Sequence, residues 1–326
     1  MMKYTLSKEF IFDFNTQAPS CHASTLLPLP NGDIIAAWFA GTKEGCSDVG
    51  IWYSLKSKGL WSAPTQIEDE PDIAHWNPVL HLKKDGTIRL YFKVGETIAY
   101  WYTKYCDSLD LGKSFQKAQT LVDNDKSGGR GPVKNKCIRL SDGSLLAPAS
   151  TEQGGQWRAF IDVSQDDGDS FTKMPYIVRP RTRSLGLVHM IQPTLWEAPN
   201  GHIHALMRSN KGNIYRSDSL DYGKTWCKAY KTELPNNNSG IDCVKTDDGL
   251  VWLLFNPISE NWGDRSPLRL SVSYDNGQSF NTVTDLETKP DSEFAYPAIT
   301  ASGNKLFMTY TYQREKIAFA ELEYTL

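Results

Sequence analysis

Four octapeptides, SLDLGKSF (Ser108–Phe115), SQDDGDSF (Ser164–Phe171), SLDYGKTW (Ser219–Trp226) and SYDNGQSF (Ser273–Phe280), share the pattern Ser-x-Asp-x-Gly-x-Ser/Thr-aromatic. A degenerate relative, SLKSKGLW, begins at Ser54. The starts at 54, 108, 164, 219 and 273 are separated by 54, 56, 55 and 54 residues. A fixed period of this length marks a repeat architecture, in which each unit buries its apolar faces against its neighbours. The motif explains itself as a folding device. Its Asp can accept hydrogen bonds from turn amides, its Gly supplies an unusual φ, and its terminal aromatic packs between strands.

A second ruler runs in phase with the first. Turn dipeptides stand at Asn31-Gly32, Asp85-Gly86, Asp142-Gly143, Asn200-Gly201 and Asp248-Gly249, with a reversed copy at Gly303-Asn304. Asn-Gly and Asp-Gly are strong hairpin signals because both residues accept positive φ. Strand-like runs flank them, such as Asp33–Phe39, Thr87–Phe92 and Leu250–Phe255. Each unit therefore reads as strand, turn, strand, loop, strand, Asp motif, strand. Four antiparallel strands repeated radially form a propeller blade. The fold class is all-β, a six-bladed β-propeller, and residues 1–326 are expected to form a single propeller domain. The sixth unit has no Asp motif after Lys316–Ala320, so a strand near Tyr4–Phe14 is expected to complete that blade and close the ring.

Composition narrows the function classes. The net charge is −3, with no basic tail or block, which argues against a nucleic-acid partner. No apolar run approaches the length of a membrane helix, so no membrane partner is expected. The six cysteines are scattered, with no CxxC pair and no zinc-ligand spacing. The N-terminal stretch lacks the apolar h-region of a signal peptide, which points to a cytoplasmic location. No dinucleotide fingerprint or P-loop is present, and no cofactor is expected.

The turns also divide the chain between two faces. The hairpin turns and the Asp motifs lie at one end of each blade. The opposite face collects the approaches to strand one and the loops between strands two and three, and such rims are where sites are usually built. The six approaches are Cys21–Ala23, His75–Pro78, Gly128–Lys136, His189–Pro193, Asn236–Asp242 and Glu293–Tyr296. This face carries Arg130, Arg158, Arg208, Arg265 and Arg314, with Lys43, Lys93, Lys134 and Lys136. It also carries Asp48, Asp242, Glu44, Glu152, Glu293, His22, His75, Asn77 and Tyr296, with Trp76, Trp157 and Trp262. Cations converging on a central funnel suit an anion, because Arg grips carboxylates bidentately. Asn and Trp beside them suit a sugar. The expected partner is an anionic carbohydrate, held by Arg208, Arg265, Arg314, Arg130, Lys134, Lys43, His22, Gln192, Asn77 and Asp242.

The Asp motifs at this period, together with HWNPVL (His75–Leu80), GRGPVKNK (Gly129–Lys136) and NNNSGID (Asn236–Asp242), resemble the sialidase (neuraminidase) superfamily, also called the BNR or Asp-box repeat family. The resemblance implies a Tyr nucleophile, a Glu that assists it, an Asp acid/base and three Arg around a carboxylate. Tyr-using sialidases are exceptions among the two-carboxylate glycosidases. On this chain Tyr296 falls at the nucleophile position and Asp48 at the acid/base position. Arg208 and Arg265 match two of the three Arg. The first Arg is replaced within Cys21-His22-Ala23-Ser24, the assisting Glu by Gln192, and a further Arg by Lys43. Glu293, three residues before Tyr296, is the candidate substitute base.

Three functions fit these residues. The leading one is a glycoside hydrolase acting on sialic acid or a related acidic sugar. The second is a polysaccharide lyase cleaving beside a uronate, with His75, Tyr296, Lys134 and Arg130 as its machinery. The third is a carbohydrate-binding propeller without turnover.

Overall fold

The computed structural model describes residues 2–14, 17–182 and 186–326. Six antiparallel sheets, each with a path of four strands, are arranged as the blades of a propeller. Blade 1 is built from Ser20–Pro28, Ile34–Gly41, Gly50–Ser57 and Leu60–Trp61, with Thr65–Gln66 also pairing to its third strand. Blade 2 uses His75–Leu82, Ile88–Val94, Tyr102–Ser108 and Gln119–Thr120. Blade 3 uses Ile138–Arg139, Leu145–Thr151, Arg158–Ser164 and Thr172–Lys173. Blade 4 uses Met190–Ala198, His202–Ser209, Asn213–Ser219 and Tyr230–Pro235. Blade 5 uses Asp242–Lys245, Val251–Phe255, Leu268–Ser273 and Asn281–Glu287. Blade 6 combines Phe294–Ser302, Lys305–Tyr312 and Lys316–Thr325 with the N-terminal strand Lys3–Phe10. That strand pairs antiparallel with the last one from Lys3–Thr325 to Phe10–Ala318, so the two ends of the chain close the ring as expected.

The second strand of each blade explains the apolar runs without alternation. In Ile34–Gly41, Ile88–Val94 and Leu145–Thr151 every residue is buried, because both sheet faces pack on neighbouring blades. The core is accordingly a set of interblade layers. One joins Ile35, Phe39 and Ile51 of blade 1 to Leu80, Leu90 and Phe92 of blade 2. Another closes the ring, with Trp38 and Trp52 of blade 1 against Phe307 and Phe319 of blade 6.

The Asp motifs are turn clamps. Asp110 Oδ1 accepts from Ser108 Oγ (2.8 Å) and the Ser114 amide (3.0 Å), and its Oδ2 accepts from Ser114 Oγ (2.6 Å). Asp166, Asp221 and Asp275 repeat the arrangement. The motif glycine has a second task beyond its positive φ. A Cβ on Gly277 would lie 2.5 Å from Trp196 of blade 4, and one on Gly168 would lie 2.2 Å from the Tyr91 oxygen of blade 2. The motif thus lets each blade approach the one before it.

Candidate active site

The site is made by a backbone irregularity repeated in four blades. The register between strands one and two shifts at His22/Thr25, Trp76/Val79, Ile191/Thr194 and Ala295/Ala298. Inside each shift one residue takes a left-handed backbone: Ala23 (φ 53°), Asn77 (φ 40°), Gln192 (φ 53°) and Tyr296 (φ 51°). A bulge inserts an extra residue and re-aims a side chain. Positive φ is a true outlier for a bulky residue, and such strain concentrates at functional sites. The third and fifth blades contribute Lys134 and Gly240 near the same point, since a Cβ on Gly240 would lie 3.2 Å from Lys134 and 3.3 Å from Tyr296.

Tyr296 stands at the centre, partly exposed. Arg208 Nη1 donates to its phenolic oxygen at 2.6 Å, and to Gln192 Oε1 at 3.2 Å. Arg208 Nε donates to Asn238 Oδ1 at 3.2 Å. The His22 ring lies 4.1 Å from the Tyr296 ring, while His22 Nδ1 bonds Thr311 Oγ1 at 2.8 Å. The Arg265 guanidinium and the Lys134 ammonium lie 5.8 and 5.9 Å from the tyrosine ring centre. Burial, reinforced by Arg314, Arg265, Lys134 and Arg208, holds the His22 imidazole well below its ordinary range. Three guanidinium groups and one lysine, from blades 3 to 6, therefore act on one point.

Carboxylates balance part of this charge. Glu293 Oε1 accepts from Arg265 Nη1 (2.5 Å) and Arg314 Nε (2.6 Å). Arg314 Nη1 also donates to Glu44, tying blade 6 to the blade-1 loop. Glu152 follows the second strand of blade 3 and forms no hydrogen bond or ion pair among the described residues. Burial pushes its carboxyl up, with Arg208 opposing and Glu44 reinforcing. Above Arg208 stand Trp157 and Trp262, each 5.8 Å from the guanidinium and 6.1 Å apart edge-on. Trp262 is 60% exposed, so its indole is a surface that a sugar ring can reach.

Residues 32–308 match the BNR repeat-like domain. The chain belongs to the BNR repeat-like family. No curated protein sequence matches it. Among solved structures it is similar to a protein of unknown function from Dyadobacter fermentans, with TM-score 0.78 and 16% identity over 99% of both chains. It is also similar to the NanB sialidase of Streptococcus pneumoniae, with TM-score 0.75 and 15% identity over 97% of this chain and 70% of that one. The Trypanosoma rangeli sialidase, solved with sialic acid, gives TM-score 0.73 and 15% identity over 98% of this chain and 58% of that one. At these identities the likeness is one of fold, and the fold is that of the sialidase-like BNR proteins.

Within this BNR repeat-like propeller the expected site residues separate into two groups. Tyr296, Arg208, Arg265, Arg314, Glu293, His22 and Gln192 come together as described. Asn77 occupies the matching bulge of blade 2. Glu293, expected as a base for Tyr296, instead bridges two arginines. Several others are committed elsewhere. Arg130 forms a bidentate pair with the fully buried Asp162 and also donates to the Phe171 carbonyl. Lys134 is 3% exposed and spends its donors on Asn135 Oδ1 and the carbonyls of Ile241 and Pro297. Asp242 is 1% exposed and accepts from Lys136, Thr194 and the Ile299 amide. Lys134 and Asp242 fasten blades together, Arg130 ties the approach to blade 3 onto its own sheet, and all three spend their charge on these bonds, because an isolated buried charge must be paired.

Neither His75 nor Asp48 hydrogen-bonds or stacks on Tyr296 among the described residues. They line a separate depression of about 560 Å³ between blades 1 and 2, with Glu68, Asp69 and Asp72. His75 Nδ1 faces the carbonyls of Ile73 and Val49, and its Nε2 faces Asp69 (3.1 Å). Asp48 Oδ2 accepts from the Thr42 amide (2.8 Å) and hydroxyl (2.6 Å), and the hydroxyl bond above all lowers its pKa. Lys43 is exposed on the same loop. Among the described residues no group of three or more His, Cys, Asp or Glu side chains could hold a metal ion. The bulge was the signal that sequence reasoning missed. Asn77-Pro78, Gln192-Pro193 and Tyr296-Pro297 recur at one place in the blade, close to eight residues before the hairpin turn.

Proposed function

We propose that this protein is a glycoside hydrolase that removes a terminal acidic sugar, sialic acid or a relative, from a glycan. The observation that carries the proposal is Tyr296 in a strained left-handed backbone, its oxygen held at 2.6 Å by Arg208, with the guanidinium groups of Arg265 and Arg314 acting on the same point. Arg208, Arg265 and Arg314 present guanidinium groups to the sugar carboxylate, and charge-assisted bonds of this kind are the strong ones. Tyr296 is the nucleophile. A neutral phenol in that role avoids repulsion from the carboxylate beside the anomeric carbon. Gln192 occupies the place of the assisting Glu and cannot take a proton, so the phenolic proton passes to water.

That substitution also favours a second reading, a lyase that neutralises a uronate with the same arginines and moves its α-proton through Tyr296. Hydrolysis and elimination differ in product, since only elimination creates a C=C bond absorbing in the ultraviolet. The test is a panel of fluorogenic glycosides of sialic acid, Kdo, uronates and neutral sugars, with uronate polymers followed by absorbance and Tyr296→Phe as control. Release from one acidic glycoside, lost in the variant, supports the hydrolase. A new absorbance without release supports the lyase, and saturable binding without product leaves a carbohydrate-binding protein.

A further inference from the structure

Resting on the hydrolase proposal, we propose that Lys134 and Asn135 are positioning residues that set the Tyr296 nucleophile and its partner Arg208 through the backbone of two bulges. A bulge interrupts the strand ladder, and buried carbonyls freed in this way need donors from elsewhere. The interruption covers Gln192 and Pro193 in blade 4, and Tyr296 and Pro297 in blade 6. Asn135 Nδ2 donates to the carbonyls of Gln192 (3.1 Å) and Pro193 (3.0 Å). Lys134 Nζ donates to the carbonyl of Pro297 and, at 3.0 Å, to that of Ile241 in the approach to blade 5. It also donates to Asn135 Oδ1 at 2.9 Å, which fixes the amide with its nitrogen toward blade 4.

These bonds close a circuit. From the Tyr296 oxygen it runs to Arg208 Nη1 at 2.6 Å, and from that nitrogen to Gln192 Oε1 at 3.2 Å. It follows Gln192 to its own carbonyl, crosses Asn135 and Lys134 to the Pro297 carbonyl, and returns along the chain to Tyr296. One arc holds the phenolic oxygen and the other holds the backbone that aims it. A Cβ on Gly240 would meet Lys134 Cε and the Tyr296 ring at Cγ and Cδ2, so the lysine works at the backbone end of the tyrosine.

Both bulges need such a hold. Gln192 and Tyr296 have φ of 53° and 51°, a backbone that side-chain-bearing residues keep only where their surroundings impose it. Lys134, Asn135, Gln192 and Arg208 are all buried, so water is a poor substitute for a lost donor. Fastening of blades alone has a different pattern. Lys245 Nζ donates to the Glu197 carbonyl at 2.9 Å and joins blade 5 to blade 4 by the same chemistry, but it touches neither bulge. In blade 3 the donors instead converge on the residues that carry Tyr296 and Gln192.

The experiment compares wild type with Asn135→Asp, Asn135→Ala and Lys245→Met. Asn135→Asp keeps the acceptor for Lys134 and loses both donors to blade 4, and it guards against a merely misfolded Ala variant. Each Asn135 variant should lower kcat on the acidic glycoside about 10- to 100-fold, as misplacement of a reacting atom does, and change the dissociation constant of the free sugar by less than about 3-fold, because Arg265 and Arg314 lie outside the circuit. In a Tyr296→Phe background the same change should cost little further, since its effect passes through Tyr296. Lys245→Met should lower the melting temperature and keep kcat. A crystal structure of Asn135→Asp reads the geometry without activity: Gln192 or Tyr296 should leave positive φ, and the bond from Arg208 to Tyr296 should open. Both backbones and that bond unchanged, or a loss of kcat no larger than in Lys245→Met, overturns the inference and leaves the hydrolase standing. Absence of wild-type turnover on every acidic glycoside removes the hydrolase, and the crystal structure then decides the positioning role by itself.

Discussion

Replacing Lys134 by Met should make the protein's stability depend on pH in a new way. Lys134 lies beneath Tyr296 and joins blade 3 to the carbonyls of Ile241 in blade 5 and Pro297 in blade 6. Burial pushes its ammonium down to about 7, helped by Lys136 and Arg208 and opposed by Asp242. The folded pKa is therefore below the unfolded one, near 10.5. Between those values the unfolded chain binds the extra proton, so the lysine's contribution to stability is full above the unfolded pKa and is lost as pH falls toward 7. The slope is about 1.4 kcal/mol per pH unit, so wild type should gain about 2 kcal/mol on the Met variant between pH 7.5 and 9. Lys93, also pushed down to about 7, is present in both proteins and cancels. Urea unfolding at each pH reads the difference. The variant also strands two buried carbonyls, at roughly 1–3 kcal/mol each, which adds a gap independent of pH. A gap that stays constant from pH 7.5 to 9 would refute the account of Lys134 as a buried cation that releases its proton near neutrality.

Tyr296→Phe should cut turnover of an acidic glycoside by ~100-fold or more at unchanged melting temperature, because only the nucleophilic oxygen and its bond to Arg208 are removed. Arg265→Ala should raise the dissociation constant for an acidic sugar about 10- to 100-fold and leave neutral sugars unaffected, by calorimetry. Gly277→Ala should cost about 2–4 kcal/mol, combining positive φ with overpacking on Trp196, whereas Gly86→Ala, with open space around it, should cost only about 1–2 kcal/mol. Equal losses at the two glycines in chemical denaturation would dismiss the interblade contact. His22, held below its ordinary 6.5, contributes stability above that pH that is lost as pH falls, so His22→Gln should narrow the drop in melting temperature between pH 7 and 5.

The blade number and the strand order could be read from the chain because their causes are local. An Asp motif closes its hydrogen bonds within seven residues, from Ser108 to Ser114, and a hairpin turn needs only two. Residues that satisfy one another at such short range leave a periodic trace. The motifs around Tyr296, Arg208 and Arg265 put them on one rim, and the structure brings them together. What chemistry each rim residue is free to perform had no such trace.

That freedom depends on partners far along the chain, brought together only when the ring closes. Arg314 meets Glu44 across 270 residues, and Lys134 meets Pro297 across 163. Arg130 and Lys134 look alike in sequence to Arg208 and Arg265, yet the first two are consumed in joining strands while the others face Tyr296. Asp48 and Glu152 are two carboxyls on equivalent loops of blades 1 and 3, separated in character by a threonine that binds one and by burial that surrounds the other. The sequence by itself determined a six-bladed ring with a cationic rim, because turn chemistry and hydrophobic period act within a few residues. The tertiary structure alone decided which charges remain unspent, because pairing and desolvation are properties of the closed ring.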